Sequence, residues 1–113
     1  YPNCTILRKT SMEALADFED RSLDWVYIDG NHEFRYVAED LAEWPKKVRL
    51  GGMISGDDYF LPNTRAHCAV GAVLPAYLDW FKIKTWYVLG RAARRRGEVR
   101  DWRRSWMWVN EDH

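Results

Sequence analysis

Three carboxylates and one imidazole in this sequence have the types and the spacing to form a catalytic site. Asp29 directly follows an apolar run at residues 25–28, and His32 stands three residues after Asp29. Asp57 and Asp58 follow a second such run farther along the chain. Carboxylate oxygens are ligands that Mg²⁺ and Ca²⁺ prefer, and histidine exchanges a proton near neutral pH. These residues therefore predict a divalent-metal site with an imidazole close to it.

The elements that must position these groups alternate along the chain. The continuous apolar run at residues 25–28 predicts a central strand covered on both faces, as in parallel sheets. Apolar residues at three- and four-residue steps then predict an amphipathic helix, with Asp40 on its solvent-facing side and an end or kink at Pro45. A second strand is predicted at residues 53–56. Because both strands end in acidic residues, a parallel sheet would bring these residues to one edge.

Further elements are predicted on both sides of this pair. Residues 5–7 are a short apolar strand candidate, and Thr10 with Glu13 has the form of a capping box for a short helix. A helical stripe at residues 66–81 is predicted to break near Pro75. Strands are predicted at residues 83–89 and 105–109, with an arginine-rich connection at 90–104 and no helix between them, so they should pair as an antiparallel hairpin. This order of elements indicates an α/β fold with a mostly parallel sheet.

Composition limits the classes of function. The 113 residues suffice for one domain, and a formal net charge of zero gives no overall electrostatic case for a nucleic-acid or membrane partner. No apolar run approaches the ~20 residues that a membrane-spanning helix needs. The two cysteines lie far apart and in no metal-ligand spacing, which indicates reduced thiols and a cytoplasmic protein.

The pattern Leu-Asp-Trp-Val-Tyr-Ile-Asp-Gly-Asn-His at residues 23–32, a helix, Leu-Gly-Gly-Met-Ile at 50–54 and the acidic pair at 57–58 resemble class I S-adenosylmethionine-dependent methyltransferases of the small-molecule O-methyltransferase type. The resemblance implies a Rossmann-like three-layer sandwich with a mostly parallel sheet and a C-terminal antiparallel hairpin. The family's glycine-rich cofactor motif, Gly-x-Gly, does not occur in these residues. The chain thus resembles a C-terminal portion, a single partial domain over residues 1–113 truncated at its N-terminus, and we expect it to be inactive by itself.

The resemblance also implies roles for particular residues. His32, with Asp29, would take the proton from an acceptor hydroxyl. Asp29, Asp57 and Asp58 match the acidic positions that hold Mg²⁺ in the metal-dependent members. The alternative is that these aspartates only cap helices and that His32 is an idle residue in the first turn of a helix.

Cofactor contacts are implied around the first short helix. In the resembled family this region borders the adenine of S-adenosylmethionine, and the acidic residue after the fourth strand lies close by. The matching residues in this chain are Thr10, Ser11, Met12 and Asp29. A simple helix cap at Thr10 and Ser11 is the alternative, and it holds whether or not cofactor binds.

Three functions follow from these patterns. The first is the C-terminal part of an S-adenosylmethionine-dependent O-methyltransferase that acts on the hydroxyl of a small-molecule acceptor, with metal assistance. The second is a non-catalytic α/β module that binds a partner or forms a homodimer. The third, which the balanced charge disfavours, is a nucleic-acid binder that uses the arginine-rich connection between Arg91 and Arg104.

Overall fold

The computed structural model describes residues 2–59, 68–90 and 104–111. Its helices are α1 (Ser11–Ala14), α2 (Phe34–Glu43) and α3 (Val70–Trp80). Single 3-10 turns, Leu15–Asp17 and Trp44–Lys47, directly follow α1 and α2. The strands are β1 (Leu23–Ile28), β2 (Val48–Tyr59), β3 (Tyr87–Val88) and β4 (Arg104–Val109). No helix in these ranges is long and apolar enough to cross a membrane.

The strands form one mixed sheet in the order β1-β2-β4-β3. β1 and β2 are parallel, with Val26 opposite Ile54, as the sequence predicts. β4 runs antiparallel to β2 on one side and to β3 on the other. The α/β class and the antiparallel pairing of the last two strands are confirmed. Parallel pairing is confined to β1 and β2, because β4 lies between β2 and β3.

The core lies between this sheet and a layer formed by α2 and α3. Leu41 of α2 and Leu74 of α3 are fully buried against Ile54 of β2. Trp106 and Trp108 of β4 are also buried, and their rings stack with centroids 5.7 Å apart. Each indole removes a large apolar area from water. These two residues therefore fix the centre of the sheet on which the candidate site is built.

The opposite face of the sheet is open within the described residues. Trp25 (54% exposed) and Tyr27 (44% exposed) of β1 lie on it, in register with Met53 and Ser55 of β2. The prediction that β1 is a central strand covered on both faces is wrong for this part of the chain, because β1 is the edge of the sheet. An apolar run shows that a strand suits burial on both faces, but it does not show what covers the second face. The predicted three-layer arrangement stays a prediction.

Three local predictions differ from the structure. Residues 5–7 form no strand, since no described strand lies beside them to pair with. The strand predicted at 83–89 is reduced to the two residues of β3, whereas Ile83 packs into the core. Helix α3 continues through Pro75 without a break, and Leu74 and Leu78 are buried on either side of the proline. Packing of the apolar face therefore outweighs the hydrogen bond that Pro75 cannot make.

Candidate active site

The end of β1 and the turn after it present Asp29 and His32. The strand ends at Ile28, so Asp29 is the first residue outside the sheet. Asn31 closes the turn, because its Oδ1 accepts a hydrogen bond of 2.9 Å from the Glu33 backbone N–H. The carbonyl of His32 accepts a bond of 2.8 Å from the backbone N–H of Ala69. These bonds hold the turn in place just ahead of α2.

The neighbouring strand β2 presents Asp57 and Asp58. Adjacent residues of a regular strand point to opposite faces of the sheet. Here the pairing of β2 with β4 is irregular between Gly56 and Tyr59, and Asp58 has a left-handed backbone with φ 64°. This local departure from strand geometry allows both carboxylates to approach Asp29. Such a conformation is unfavourable for a residue with a Cβ, and similar strain often occurs at functional sites.

The three carboxylates converge as the alignment of the two strand ends predicts. One oxygen each from Asp29, Asp57 and Asp58 lies within 4.8 Å of the others. Asp58 is buried, whereas Asp29 is exposed. The carboxylates of Asp29 and Asp57 make no hydrogen bond or ion pair with any other described residue. Like charges this close repel one another, so the cluster favours a bound cation.

His32 lies on the same cavity as the acidic cluster. This cavity has a volume of about 10 Å³, and its wall includes Asp29, His32, Asp57 and Asp58. A volume of that order holds one water molecule or one ion. The structure therefore brings the predicted base and the predicted metal ligands together at the edge of the sheet.

A second and larger cavity of about 310 Å³ lies beside the first and shares with it Ile28, Asp29, Gly30 and Asp40. Apolar groups from Val26 and Ile28 contribute to its wall. Its polar wall comes from Asp29, Ser11, Asp40 and Trp44. A concave site with an apolar wall and a few polar groups is typical of small-molecule sites.

Of the residues proposed to contact the cofactor, Ser11 and Asp29 line this larger cavity. Thr10 caps α1: its side chain accepts a hydrogen bond of 3.2 Å from the Glu13 backbone N–H. The Thr10 hydroxyl also donates to Glu13 Oε1 at 2.8 Å, so the predicted capping box is confirmed. Met12 is half-buried in α1 and does not line the cavity.

Asp40 is a polar residue of this region whose position differs from the prediction. The sequence predicts this residue on the solvent-facing side of α2, yet only 6% of it is exposed. Ser11 Oγ donates a hydrogen bond of 2.6 Å to Asp40 Oδ1. Burial raises the pKa of the Asp40 carboxyl, and the Ser11 hydrogen bond opposes part of that rise. The helical spacing gave a signal, since Asp40 lies one turn from Val37 and one turn from Trp44 on the apolar side of α2.

Comparison with known proteins places the chain in a family. A family model described as "Methyltransferase domain" matches residues 2–59, about half of the chain. The chain belongs to this methyltransferase domain family. The match contains the whole acidic cluster, His32, Ser11 and Asp40. The matched region thus includes all residues of the two cavities that precede the end of β2.

A curated relative of the methyltransferase domain is the uncharacterized protein y4gI of Sinorhizobium fredii. The two sequences are 44% identical over 43 residues, which is 38% of this chain. The matched stretch covers 5% of the length of that protein.

The predicted nucleic-acid binding concerns the arginine-rich connection, of which the structure describes only the two ends. Residues 91–103 lie outside the described part of the chain. Arg104, at its end, is half-buried, and its guanidinium lies 5.5 Å from the centre of the Tyr59 ring. That contact accounts for Arg104 as a packing residue of the sheet.

Proposed function

We propose that this methyltransferase domain forms the acceptor side of an S-adenosylmethionine-dependent O-methyltransferase that acts on a small-molecule hydroxyl with metal assistance. The observation that carries the proposal is the convergence of Asp29, Asp57 and Asp58 within 4.8 Å. The position of His32 on the same cavity supports it. A structural aspartate needs no such cluster, whereas a metal-assisted deprotonation needs both the carboxylates that hold the metal and a base beside them.

The donor set fits Mg²⁺. Mg²⁺ binds hard oxygen ligands, commonly one or two carboxylates with water completing the octahedron. Asp29, Asp57 and Asp58 would hold the ion, and the carboxylates of Asp29 and Asp57 are free of other described partners. A divalent ion at this place supplies Lewis acidity that lowers the pKa of a coordinated hydroxyl. No described residue compensates the charges of the Asp29 and Asp57 carboxylates, which gives this chain a physical reason to take up a cation.

His32 has the role of general base in the proposal. Its backbone is held by the Ala69 hydrogen bond, so the imidazole is presented from a fixed turn. The side chain would hold the proton released by the acceptor hydroxyl. Removal of a well-placed general base typically lowers a rate by about 10² to 10⁴.

The larger cavity fits the adenosyl end of S-adenosylmethionine. It combines apolar groups from β1 with Ser11 and Asp29, which the resemblance places beside the cofactor. When bound, the cofactor supplies an electrophilic methyl group on a sulfonium centre. Asp29 lines both cavities. In the proposal it therefore orients the cofactor beside the acidic cluster.

Calorimetric titration tests this function. The protein expressed from its complete gene is titrated with S-adenosylmethionine, with and without Mg²⁺. We expect S-adenosylmethionine to bind, and Mg²⁺ binding to be lost in Asp57→Asn and retained in Asp79→Asn, which removes an exposed carboxylate of α3. No heat with S-adenosylmethionine under either condition would contradict the proposal.

A second candidate function is self-association through the open face of the sheet. Trp25 Nε1 donates to Ser55 Oγ at 2.6 Å, and the Tyr27 and Ser105 hydroxyls are hydrogen-bonded at 3.0 Å. The rings are thus held as a rigid surface with their polar atoms satisfied. Rigid aromatic surface of this kind is typical of protein interfaces. We propose a homodimer that packs these faces together and that accompanies, or replaces, the catalytic role.

A further inference from the structure

A third cavity, of about 320 Å³, lies away from the candidate active site. Its wall includes Val109, at the end of β4, and Glu111 just beyond it. Because β4 is antiparallel to β2, these residues lie toward the start of β2, whereas the acidic cluster lies at its end. The cavity shares no residue with the two cavities of the candidate active site. Its volume is within the range of small-molecule sites.

Two lysines line this cavity on either side of a buried residue. Ile83 is only 8% exposed and packs into the core, which fixes the segment that carries Lys82 and Lys84. Both lysines are exposed, and neither forms a hydrogen bond or an ion pair with another described residue. A lysine ammonium is a compact charge on a flexible stem, so each can reach an anion in the cavity.

The backbone of Lys82 has a conformation that favours glycine. Its φ is 59°, in the left-handed region. The Lys82 backbone N–H donates to the Asp79 carbonyl at 3.1 Å, and the Ile83 backbone N–H donates to the Leu78 carbonyl at 2.9 Å. This pair of bonds is a C-terminal cap of α3, at which glycine is the usual residue. A lysine retained in spite of the steric penalty supports a role for its side chain.

The rest of the wall suits a ligand with one charged end and one apolar end. Glu111 contributes one carboxylate, so the two lysines and this residue sum to a single positive charge. The Tyr87 ring, 52% exposed, and the Val109 side chain, 42% exposed, contribute apolar surface. A ligand with a single negative charge and a flat apolar body complements both the charge and the surface.

We propose that this cavity binds a small monocarboxylate with a flat apolar body. The carboxylate lies between Lys82 and Lys84, and the body of the ligand contacts Tyr87 and Val109. The inference goes beyond the proposed function, because none of these residues belongs to the site of methyl transfer.

The test compares two probes that differ mainly in charge. Benzoate and benzamide share the same ring and nearly the same shape, but only benzoate is an anion. Each is titrated calorimetrically into the protein expressed from its complete gene, with chelator present so that no metal at the acidic cluster holds the carboxylate. We expect benzoate to bind about tenfold more tightly, because hydrogen bonds between ionised groups are the stronger ones.

Two substitutions remove the cations. Lys82→Gly and Lys84→Gln should each lower the preference for benzoate about threefold, and the double variant should lower it to about onefold. Lys82→Gly also guards against a folding defect. The loss of a cation at the end of α3 and the relief of the left-handed strain offset one another, so the melting temperature should stay close to that of the wild type.

Lys46→Gln is the matched control for net charge. It removes one exposed lysine that pairs with Glu43 and does not line the cavity, so the tenfold preference should persist. The ratio of the two affinities also separates recognition from a general loss of structure, which weakens both probes alike. Equal affinity of the wild type for the two probes, no saturable binding of benzoate, or a preference that survives in the double variant would overturn the proposal. An equal loss in Lys46→Gln and Lys84→Gln would overturn it as well, since only net charge would then be at work.

Discussion

The indole ring of Trp106 lies directly against the backbone of Gly56. A Cβ at Gly56 would overlap that ring and the carbonyl oxygen of Ile28 on the neighbouring strand. In addition, Trp106 Nε1 donates a hydrogen bond of 3.0 Å to the carbonyl of Asp57. The buried Trp106 thus holds the backbone at Gly56, which precedes the acidic pair, and at Asp57, its first residue. The geometry of the cluster depends on this contact.

The first prediction concerns Gly56→Ala. The added methyl group cannot be accommodated without moving Trp106 or separating β1 from β2. We expect a loss of about 3 kcal/mol in the free energy of unfolding, measured by urea denaturation. Gly30→Ala is the control, since its methyl group makes only an ordinary contact, and its effect should stay within about 0.5 kcal/mol. Equal effects of the two substitutions would contradict the argument.

The second prediction concerns Mg²⁺ and the acidic cluster. Binding to the folded state alone should add about 2.7 kcal/mol of stability when the free ion is at a hundred times its dissociation constant. Thermal denaturation with Mg²⁺ and with chelator measures this difference. Asp57→Asn should abolish the gain.

The same variant should behave oppositely without the ion. Removing one of three crowded negative charges relieves a repulsion of about 1 kcal/mol, so Asp57→Asn should melt above the wild type in chelator. Asp79→Asn should show neither effect, because Asp79 lies outside the cluster. A wild-type melting temperature that is insensitive to Mg²⁺ would argue for purely structural aspartates.

The third prediction concerns the pH dependence of stability through Asp40. Burial raises the pKa of its carboxyl above the usual 3.8, so the folded state holds this proton to a higher pH than the unfolded state does. The stabilisation is therefore complete below the unfolded pKa and is lost as the pH rises through the folded pKa.

Asp40→Asn keeps an oxygen for Ser11 and removes the titration. The stability of this variant relative to the wild type should therefore increase from about pH 4 to about pH 7 in urea denaturation. Asp79→Asn corrects for the general change in charge. A difference that stays constant across this range would show that burial of Asp40 does not affect its titration.

The fourth prediction concerns the open face. Trp25→Ser should raise the dissociation constant of the proposed dimer at least about tenfold, because the packing of a large aromatic side chain contributes about 1.5 to 3 kcal/mol. Sedimentation velocity over a concentration series measures it. Trp80→Ser is the matched control, as Trp80 is 78% exposed but lies on α3. A wild-type monomer at every concentration would refute the dimer.

Much of the candidate site was predictable because it rests on local patterns. An apolar run that ends in Asp29, and a second that ends at Asp57, need only the rule that parallel strand ends share an edge. The α2 stripe and the Thr10 cap are equally local. The convergence of the three carboxylates follows from these elements together.

The features that sequence patterns missed depend on tertiary context. The exposure of Trp25 depends on which chain segments cover the second face of the sheet, and no apolar run records that. Asp40 is polar, so residue type placed it on the wet side of α2, although the positions of Val37 and Trp44 placed it on the buried side. Pro75 stays within α3 because distant core residues hold the helix on both sides of it.

The position of β4 has a consequence for the order in which the protein can fold. The bond between Trp106 and Asp57 joins residues 49 positions apart, and β4 fills the gap between β2 and β3. A chain emerging from the ribosome therefore exposes Asp29 and Asp57 well before their support has been synthesised. Contacts so distant in sequence form slowly. The acidic cluster should acquire its final geometry only after β4 has been synthesised and has inserted into the sheet.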